Sequence, residues 1–192
     1  MKMPAIALRG MTVLPGMIVH FDISREKSTK AVEASMVGNQ EIFLVTQRNV
    51  EKENPIVSDL YEIGIVAEIK QVIKLQKGII RILAEGKNRA KLFGLTECSE
   101  YLEAEMEYLE EEQETFPEEV ELAMINSIRE NFIRYAKING KISPDVLKQM
   151  ESYRELEKLL NYVANNFPIH FEDKQQILEA NNITTRYEIL LA

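Results

Sequence analysis

Two places in the chain carry residue types that can do covalent or hydrolytic chemistry, and each lacks the partners that the chemistry requires. Cys98 is the single cysteine, and it stands between Glu97 and Ser99 in an acidic stretch. Negative surroundings disfavour the thiolate that acts as a nucleophile, so we expect a passive thiol. His170 and Glu172 match the His-x-Glu of zinc deaminases, but no Pro-Cys-x-x-Cys accompanies them. We therefore expect His170 to be a residue at a helix start near the surface.

Two further patterns resemble binding sites for ions or phosphates. Glu103, Glu105 and Glu107 alternate along the chain, which places them on one face of a strand. Such a face can attract a divalent cation, but a solvated strand face is the favoured interpretation. Gly86-Lys87 is followed by Asn88 and has no glycine five residues earlier, so it is not a phosphate-binding loop. With no catalytic, metal or cofactor site predicted, the residues favour a binding or assembly module.

Composition narrows the class of protein. The 192 residues are 45% apolar, with one cysteine and two histidines, which excludes a disulfide framework and a histidine-rich metal centre. No apolar run has the length of a membrane span, and the N-terminus lacks a secretory signal. Residues 99–121 carry 11 acidic and no basic side chains, within a net charge of −8. We expect a cytoplasmic protein with no membrane contact, and the charge argues against a nucleic-acid partner.

Residues 1–110 have the pattern of a β-rich domain. Ile42–Val45 is a short apolar run typical of a buried strand. Residues 63–75 and 79–83 are rich in β-branched residues and flank a short loop with a glycine, which predicts a hairpin. Residues 101–109 alternate strictly between apolar and acidic side chains, which predicts a half-buried strand. One helix is expected between a cap at Ser24 and a stop at Gly38.

An acidic connector, residues 111–115, separates this domain from a helical domain over residues 116–192. A run of like charges resists burial and suits a solvated linker. Thr115 and Glu118 have the spacing of a capping box, which predicts a helix start. Asn139-Gly140 predicts the end of that helix.

The remaining helices are predicted from caps and apolar spacing. Ser143-Pro144 predicts a helix start, and an apolar stripe runs from Val146 to Val163 as one helix. Pro168 separates it from the next helix, and Thr184 or Thr185 is the expected cap of the last one. That last helix ends within an apolar pattern and has no stop signal. We expect it to be truncated and to continue in a longer parent protein.

An ordered set of short motifs resembles the N-terminal domain of bacterial Lon proteases, and the resemblance covers nearly the whole chain. No single motif is specific, but their order and spacing are. In chain order they are Leu8-Arg9-Gly10, Leu14-Pro15-Gly16-Met17, Arg25-Glu26-Lys27-Ser28, Leu44-Val45-Thr46-Gln47-Arg48, Asp59-Leu60-Tyr61 with Gly64, Lys74-Leu75 before Gly78, Arg81-Ile82-Leu83-Ala84-Glu85-Gly86 with Arg89, Asp173-Lys174-Gln175-Gln176-Ile177-Leu178-Glu179 and Arg186-Tyr187-Glu188.

The resemblance implies a fold and a role. The fold would be α+β: an N-terminal PUA-like β pseudo-barrel with one helix, followed by a C-terminal helical bundle. The parent would be an ATP-dependent serine protease that degrades misfolded and regulatory proteins and assembles as a hexamer. ATP and magnesium would belong only to its ATPase module, so this chain would bind and would not catalyse. Its partners would be unfolded or misfolded protein substrates and copies of the parent.

The residues of the β-rich domain suggest where a substrate could bind. Leu14 and Met17 lie in an apolar loop, and Arg25, Glu26 and Lys27 follow as a group of mixed charge at a helix start. Shallow apolar surface suits loosely held unfolded chains, because burial is non-directional. We expect these five residues to contact substrate. The alternative that Leu14 and Met17 belong to the core stays open.

Three other roles are compatible with the sequence. The helical domain could pair with copies of itself and support assembly. A PUA-like fold could serve RNA, although the acidic balance opposes this. The chain could also be a free-standing LON-domain protein that acts as a protein-interaction module.

Overall fold

Strands dominate the first part of the molecule, and helices dominate the second. The computed structural model describes residues 1–97 and 100–192 and confirms the α+β class. It divides into two compact units, Met1–Leu109 and Glu110–Ala192. The strands are β1 (Lys2–Leu8), β2 (Ile18–Ile23), β3 (Glu41–Thr46), β4 (Ile63–Lys74), β5 (Ile80–Glu97) and β6 (Leu102–Tyr108). The helices are α1 (Glu26–Val37), α2 (Glu118–Asn139), α3 (Pro144–Ser152), α4 (Leu156–Asn166), α5 (Phe171–Glu179) and α6 (Ile183–Leu191).

The sheet of the first unit closes on itself through its longest strand. Its order is β2-β5-β4-β3-β1-β6, and β5 also pairs with β6. The first half of β5 pairs with β2, and its second half pairs with β6. Five strands therefore form a closed ring, and β2 is attached outside that ring as an extra strand. The pairing of β1 with β3 is parallel, whereas the other pairings are antiparallel.

Strand β3 is buried on both faces, because the sheet packs two cores against it. Ile42 and Leu44 belong to a cluster that includes Ala31 and Val32 of α1. Phe43 and Val45 point the other way into a second cluster. This explains why Ile42–Val45 reads as a continuous apolar run and not as an alternating one.

The predicted hairpin and the predicted strand at 101–109 are confirmed as β4–β5 and β6. The turn of the hairpin places Lys77 at φ 60° and Gly78 at φ 73°. The predicted cap at Ser24 is wrong, because α1 begins one residue later. Arg25 is its N-cap residue and makes no side-chain capping bond. The helix start is instead held by burial of its inner face, including Ser28, Ala31 and Val32.

In the second unit, helices α2, α4 and α6 contact one another around one apolar cluster. Ile128, Met150, Leu159 and Val163 are completely or almost completely buried in it. Phe132 and Phe167 stack edge to face there, with ring centroids 4.8 Å apart.

The predicted single helix over 146–163 is wrong: α3 ends at Ser152 and α4 begins at Leu156. Two side chains of α2 satisfy the backbone groups that this break exposes. Arg129 donates to the carbonyls of Glu151 and Tyr153, and Glu121 accepts the N–H of Leu156 at 3.1 Å. The apolar spacing continues across the break, so the pattern alone does not show it.

Helix boundaries were predicted with mixed success. Gly140 ends α2 in a left-handed conformation, and Ser143 caps α3 through a bond from the N–H of Asp145, both as predicted. The Thr115–Glu118 capping box is wrong, since Pro117 is the N-cap residue of α2. A residue before proline is disfavoured in the helical region, so Phe116 cannot belong to that helix.

The first turn of α6 is capped from two sides. Asn182, not Thr184 or Thr185, is the N-cap residue, and its side chain accepts the N–H of Thr185 at 2.9 Å. Glu114 of the acidic segment accepts from the main-chain N–H and the hydroxyl of Thr184 at 2.8 and 2.9 Å. The acidic segment is thus hydrogen-bonded to the helix start while most of its side chains remain exposed.

Candidate functional site

The first unit contains a polar cleft at the start of α1. Its volume is about 510 Å³. Four separate chain segments line it: the end of β1 with Arg9, the junction from Ser24 to Ser28, the loop from Glu53 to Pro55, and Leu102 of β6. The backbone of Arg25 is extended and the helix begins at Glu26, so the junction that lines the cleft is the transition from β2 to α1.

The guanidinium of Arg25 is held in place by the buried side-chain amide of Gln47. Its Nη2 donates to Oε1 of Gln47 at 3.1 Å, and Gln47 is completely buried. The amide nitrogen of Gln47 in turn donates to the carbonyls of Asn49 and Lys52, at 3.1 and 2.9 Å. Gln47 therefore fixes both the guanidinium and the loop beside it.

The guanidinium of Arg9 also contacts the loop that Gln47 holds. Nη2 of Arg9 donates to the carbonyl of Lys52 at 3.3 Å. The pKa of Arg25 lies below its usual value, first because of burial and then because of the charge of Arg9, with Glu53 acting in the opposite direction. Arg9 thus disfavours the charged form of Arg25, and a nearby carboxylate such as that of Glu53 favours it.

A smaller cleft of about 240 Å³ adjoins the first and shares Arg9 and Arg25 with it. It lies between residues 6–8 of β1 and residues 21–23 of β2. The two clefts together connect the cationic pair with the outer strand of the sheet.

The five residues predicted to contact substrate fall into two groups. Arg25, Glu26 and Lys27 lie together in the cleft. Leu14 is only 3% exposed, so its side chain is a core residue and is not offered to a substrate. Met17 is half-buried against the core and lies outside the residues that line the cleft.

Arg9, Gln47 and Glu53 were not predicted as site residues. They come from three segments that only the sheet brings together, through the pairing of β1 with β3. Arg9 and Gln47 do occur in the motifs that carry the family resemblance. Their order along the chain was the one available signal, and it does not indicate their proximity.

The other chemical candidates contribute no second site. Cys98 lies outside the described residues. Glu103 approaches Lys2 at 3.8 Å, whereas Glu105 and Glu107 are exposed. Within residues 1–97 and 100–192, no group of His, Cys, Asp and Glu has the geometry of a metal site.

His170 is an exposed residue at the start of α5, as predicted, and its carbonyl accepts the N–H of Lys174. It borders an apolar groove of about 700 Å³ between α2, α5 and α6.

No helix of the described chain is both long enough and apolar enough to cross a membrane.

The comparisons with known proteins agree on one family. The sequence model described as the substrate-binding domain of the ATP-dependent protease La (LON) matches residues 2–192. The chain is 41% identical over 189 residues to a Lon protease of Lachnoclostridium phytofermentans and 40% identical over 190 residues to one of Brevibacillus choshinensis. These matches cover 98% and 99% of the chain but only 23% and 24% of the relatives. The chain therefore spans about a quarter of their length.

Solved structures show the same fold at low sequence identity. The N-terminal domain of a Mycobacterium avium complex Lon protease matches all of this chain and 96% of its own, with a TM-score of 0.78 at 17% identity. A Lon N-terminal domain protein of Xanthomonas campestris matches all of this chain and 97% of its own, with a TM-score of 0.68 at 12% identity.

Proposed function

The chain belongs to the family of Lon substrate-binding domains, and from this premise we propose that it captures unfolded or misfolded polypeptides for a longer protease. The single observation that carries the proposal is the family match over residues 2–192. The matched relatives, about four times longer, are named Lon proteases. The implied parent is an ATP-dependent serine protease that degrades misfolded and regulatory proteins, with ATP and magnesium bound outside this chain.

The two units would divide the work. We take the first to be a PUA-like β pseudo-barrel, which the closed ring of five strands and the inward-packed α1 support. The second would be a helical bundle, which the shared apolar cluster supports. Residues 111–115 would be the connector between the two domains. The relatives that match the chain are named Lon proteases, which favours a part of a protease over a free-standing interaction module.

The proposed capture surface lies on the first unit. Arg25, Glu26 and Lys27 line its polar cleft, and the half-buried Met17 adds apolar surface at the start of β2. Weak contacts of this kind suit a domain that must release its cargo, and several copies in an assembly would strengthen them through effective concentration.

The proposal is tested by comparing a permanently unfolded protein with its native form. Reduced, carboxamidomethylated lysozyme and native lysozyme are titrated separately into the labelled chain. Preferential binding of the unfolded form supports capture by this domain. No binding of either form by the folded chain contradicts it.

Met17→Asp tests the apolar part of the surface, with Met36→Asp as the matched control. Met36 is 39% exposed on α1, away from the cleft. Met17→Asp should weaken binding of unfolded lysozyme about tenfold, and Met36→Asp should leave it unchanged. Because Met17 also touches the core, Met17→Ser and a thermal melt of each variant separate lost binding from lost folding. Equal binding by folded Met17→Asp contradicts a role for Met17.

Assembly is a second candidate function, and exposed apolar residues of α2 favour it. Val120 is 45% exposed and Ile138 is 82% exposed, and their separation of about five helical turns places both on one face of α2. Pairing with α2 of further copies would bury such positions, as the expected hexamer of the parent requires. Sedimentation over a hundredfold concentration range tests this: a monomer at every concentration contradicts self-assembly by the chain.

The proposed setting of the protein is the cytoplasm.

A further inference from the structure

Strand β2 is an outer strand with one unpaired edge. All six of its residues pair with β5, and no other strand of the described chain pairs with it. The N–H of Leu75 bonds the carbonyl of Ile79 in the hairpin, so the main-chain groups of Ile79 face β4. The main-chain N–H and C=O groups of successive residues point to opposite sides of a strand. Those of Ile80 and Ile82 therefore face β2.

The same alternation assigns the groups of β2. Its residues Phe21 and Ile23 pair with Ile82 and Ile80 and bond to β5. The N–H and C=O groups of Ile18, His20 and Asp22 consequently point away from the sheet. These three residues are also exposed, with Ile18 at 64%.

This edge lacks the usual protection against pairing with other chains. Outer strands are commonly guarded by lysine, proline or a bulge. Residues 18–23 contain neither lysine nor proline, and their register with β5 is regular. The carboxylate of Asp22 accepts hydrogen bonds from Nε and Nη2 of Arg81 on the neighbouring strand β5, at 2.7 and 2.9 Å. None of these three guards is present in residues 18–23, so the edge can serve as a template for an added strand.

The cationic pair lies at the C-terminal end of this edge. Phe21, Asp22 and Ile23 line the smaller cleft together with Arg9 and Arg25. The two guanidiniums donate to neutral oxygens, those of Lys52 and Gln47. Among the described residues, neither is within ion-pairing distance of a carboxylate. This end of the edge therefore has a charge that is complementary to a carboxylate on a strand added to β2.

We propose that an extended polypeptide segment with an acidic side chain adds to β2 as a further strand and places its carboxylate between Arg9 and Arg25. The inference rests on the proposed function and deepens it by naming the substrate class. Main-chain bonds to Ile18, His20 and Asp22 tolerate many sequences, as capture of unfolded chains requires. The two arginines select segments with an acidic residue near one end.

The main-chain part of the proposal is tested at His20. His20→Pro removes an N–H that is not bonded to β5, and proline is tolerated at such positions of outer strands. His20→Ala is the matched control, because it removes the side chain and keeps the N–H. The probe is a fluorescein-labelled peptide of about ten residues, composed of Ser, Thr and Val with one Glu near its end. His20→Pro should weaken binding about tenfold, and His20→Ala should leave it unchanged.

A second measurement does not depend on the folding of a variant. The same peptide, N-methylated at every second residue in either of the two registers, keeps its side chains but loses main-chain donors. At least one of these peptides should lose binding to the unaltered chain. Full binding of both peptides overturns strand addition, as does full binding by folded His20→Pro.

The electrostatic part is tested by replacing the peptide's Glu with Gln and, separately, by Arg25→Gln. Each change should weaken binding several-fold and reduce its salt dependence, with little further loss when the two are combined. Independent, additive losses overturn the pairing of the carboxylate with Arg25. If unfolded lysozyme binds but these changes have no effect, this inference fails and the proposed function stands. If unfolded lysozyme does not bind at all, the proposed function fails.

Discussion

The guanidinium of Arg186, which is 6% exposed, donates to a carboxylate oxygen of Glu111 at 2.8 Å. Its Nε donates at the same time to the carbonyl of Ala180 at 3.2 Å. One buried side chain of α6 thus joins the acidic segment to the turn between α5 and α6. A segment whose charges suit a solvated linker is attached at a defined point.

We expect Arg186→Met to lower the free energy of unfolding by about 2–3 kcal/mol, because it removes the buried hydrogen bond to the carbonyl of Ala180 and the ion pair with Glu111. Glu111→Gln is the matched control. Glu111 is partly exposed and the amide still accepts the hydrogen bond of Arg186, so this change should cost less than Arg186→Met, even though the buried guanidinium loses its counter-ion. Urea unfolding followed by far-ultraviolet circular dichroism measures both. Equal losses for the two variants would show that the pair, and not the buried arginine, carries the stability.

The carboxylate of Glu114 acts as an external cap on α6 through Thr184. Glu114→Ala should lower the free energy of unfolding by about 1 kcal/mol and increase amide exchange at Thr184, since an orphan N–H of the first turn loses its acceptor. Gln113→Ala, at the exposed neighbouring position, is the control. Unchanged exchange at Thr184 in Glu114→Ala would contradict the capping role.

Local elements could be predicted where the signal lies within a few residues. The glycine after Asn139, the Ser143-Pro144 start and the β4–β5 hairpin each have such a signal, and each is confirmed. The break between α3 and α4 could not be predicted, because Arg129 and Glu121 stabilise it from a different helix.

The candidate site shows the same division. The group Arg25–Lys27 was predicted from its place at a helix start, and it lines the cleft. Leu14 was proposed beside it, because an apolar loop residue looks the same in sequence whether it is exposed or buried. Arg9 and Gln47 belong to different strand ends, so their approach to Arg25 depends on the parallel β1–β3 pairing, which has no local sequence signal.

At Gly86, strand β5 passes close to the loop before β2. A Cβ there would lie 2.3 Å from the carbonyl oxygen of Leu14 and 2.8 Å from Cδ1 of Ile65. Gly86→Ala should therefore lower the free energy of unfolding by about 2 kcal/mol or more, because a main-chain group has to move.

Gly94, in the same strand, provides the matched control for that change. A Cβ at Gly94 would meet nothing closer than 3.5 Å. Gly94→Ala should be neutral or stabilise the protein by up to about 1 kcal/mol, since alanine restricts the unfolded chain. Thermal unfolding of both variants gives the comparison. A Gly86→Ala protein as stable as Gly94→Ala would contradict the close approach of Leu14.

Lys174 on α5 provides a pH-dependent test. Burial lowers the pKa of its ammonium from the usual 10.5, because the charged form is desolvated. Below the folded-state pKa both states are protonated, and the folded protein bears the full desolvation cost. Between that pKa and 10.5 the unfolded state binds more protons, so the free energy of unfolding rises with pH.

Lys174→Met removes this group, so the variant should be more stable than the unaltered chain at pH 7, and the difference should shrink as the pH approaches 10.5. Urea unfolding at pH 7, 8, 9 and 10 measures the difference, and ionisations common to both proteins cancel. Lys148→Met, at an exposed position of α3, should change stability by less than about 0.5 kcal/mol. A gain for Lys174→Met that stays constant from pH 7 to 10 would mean that added apolar contact, and not relief of a buried ammonium, stabilises the variant.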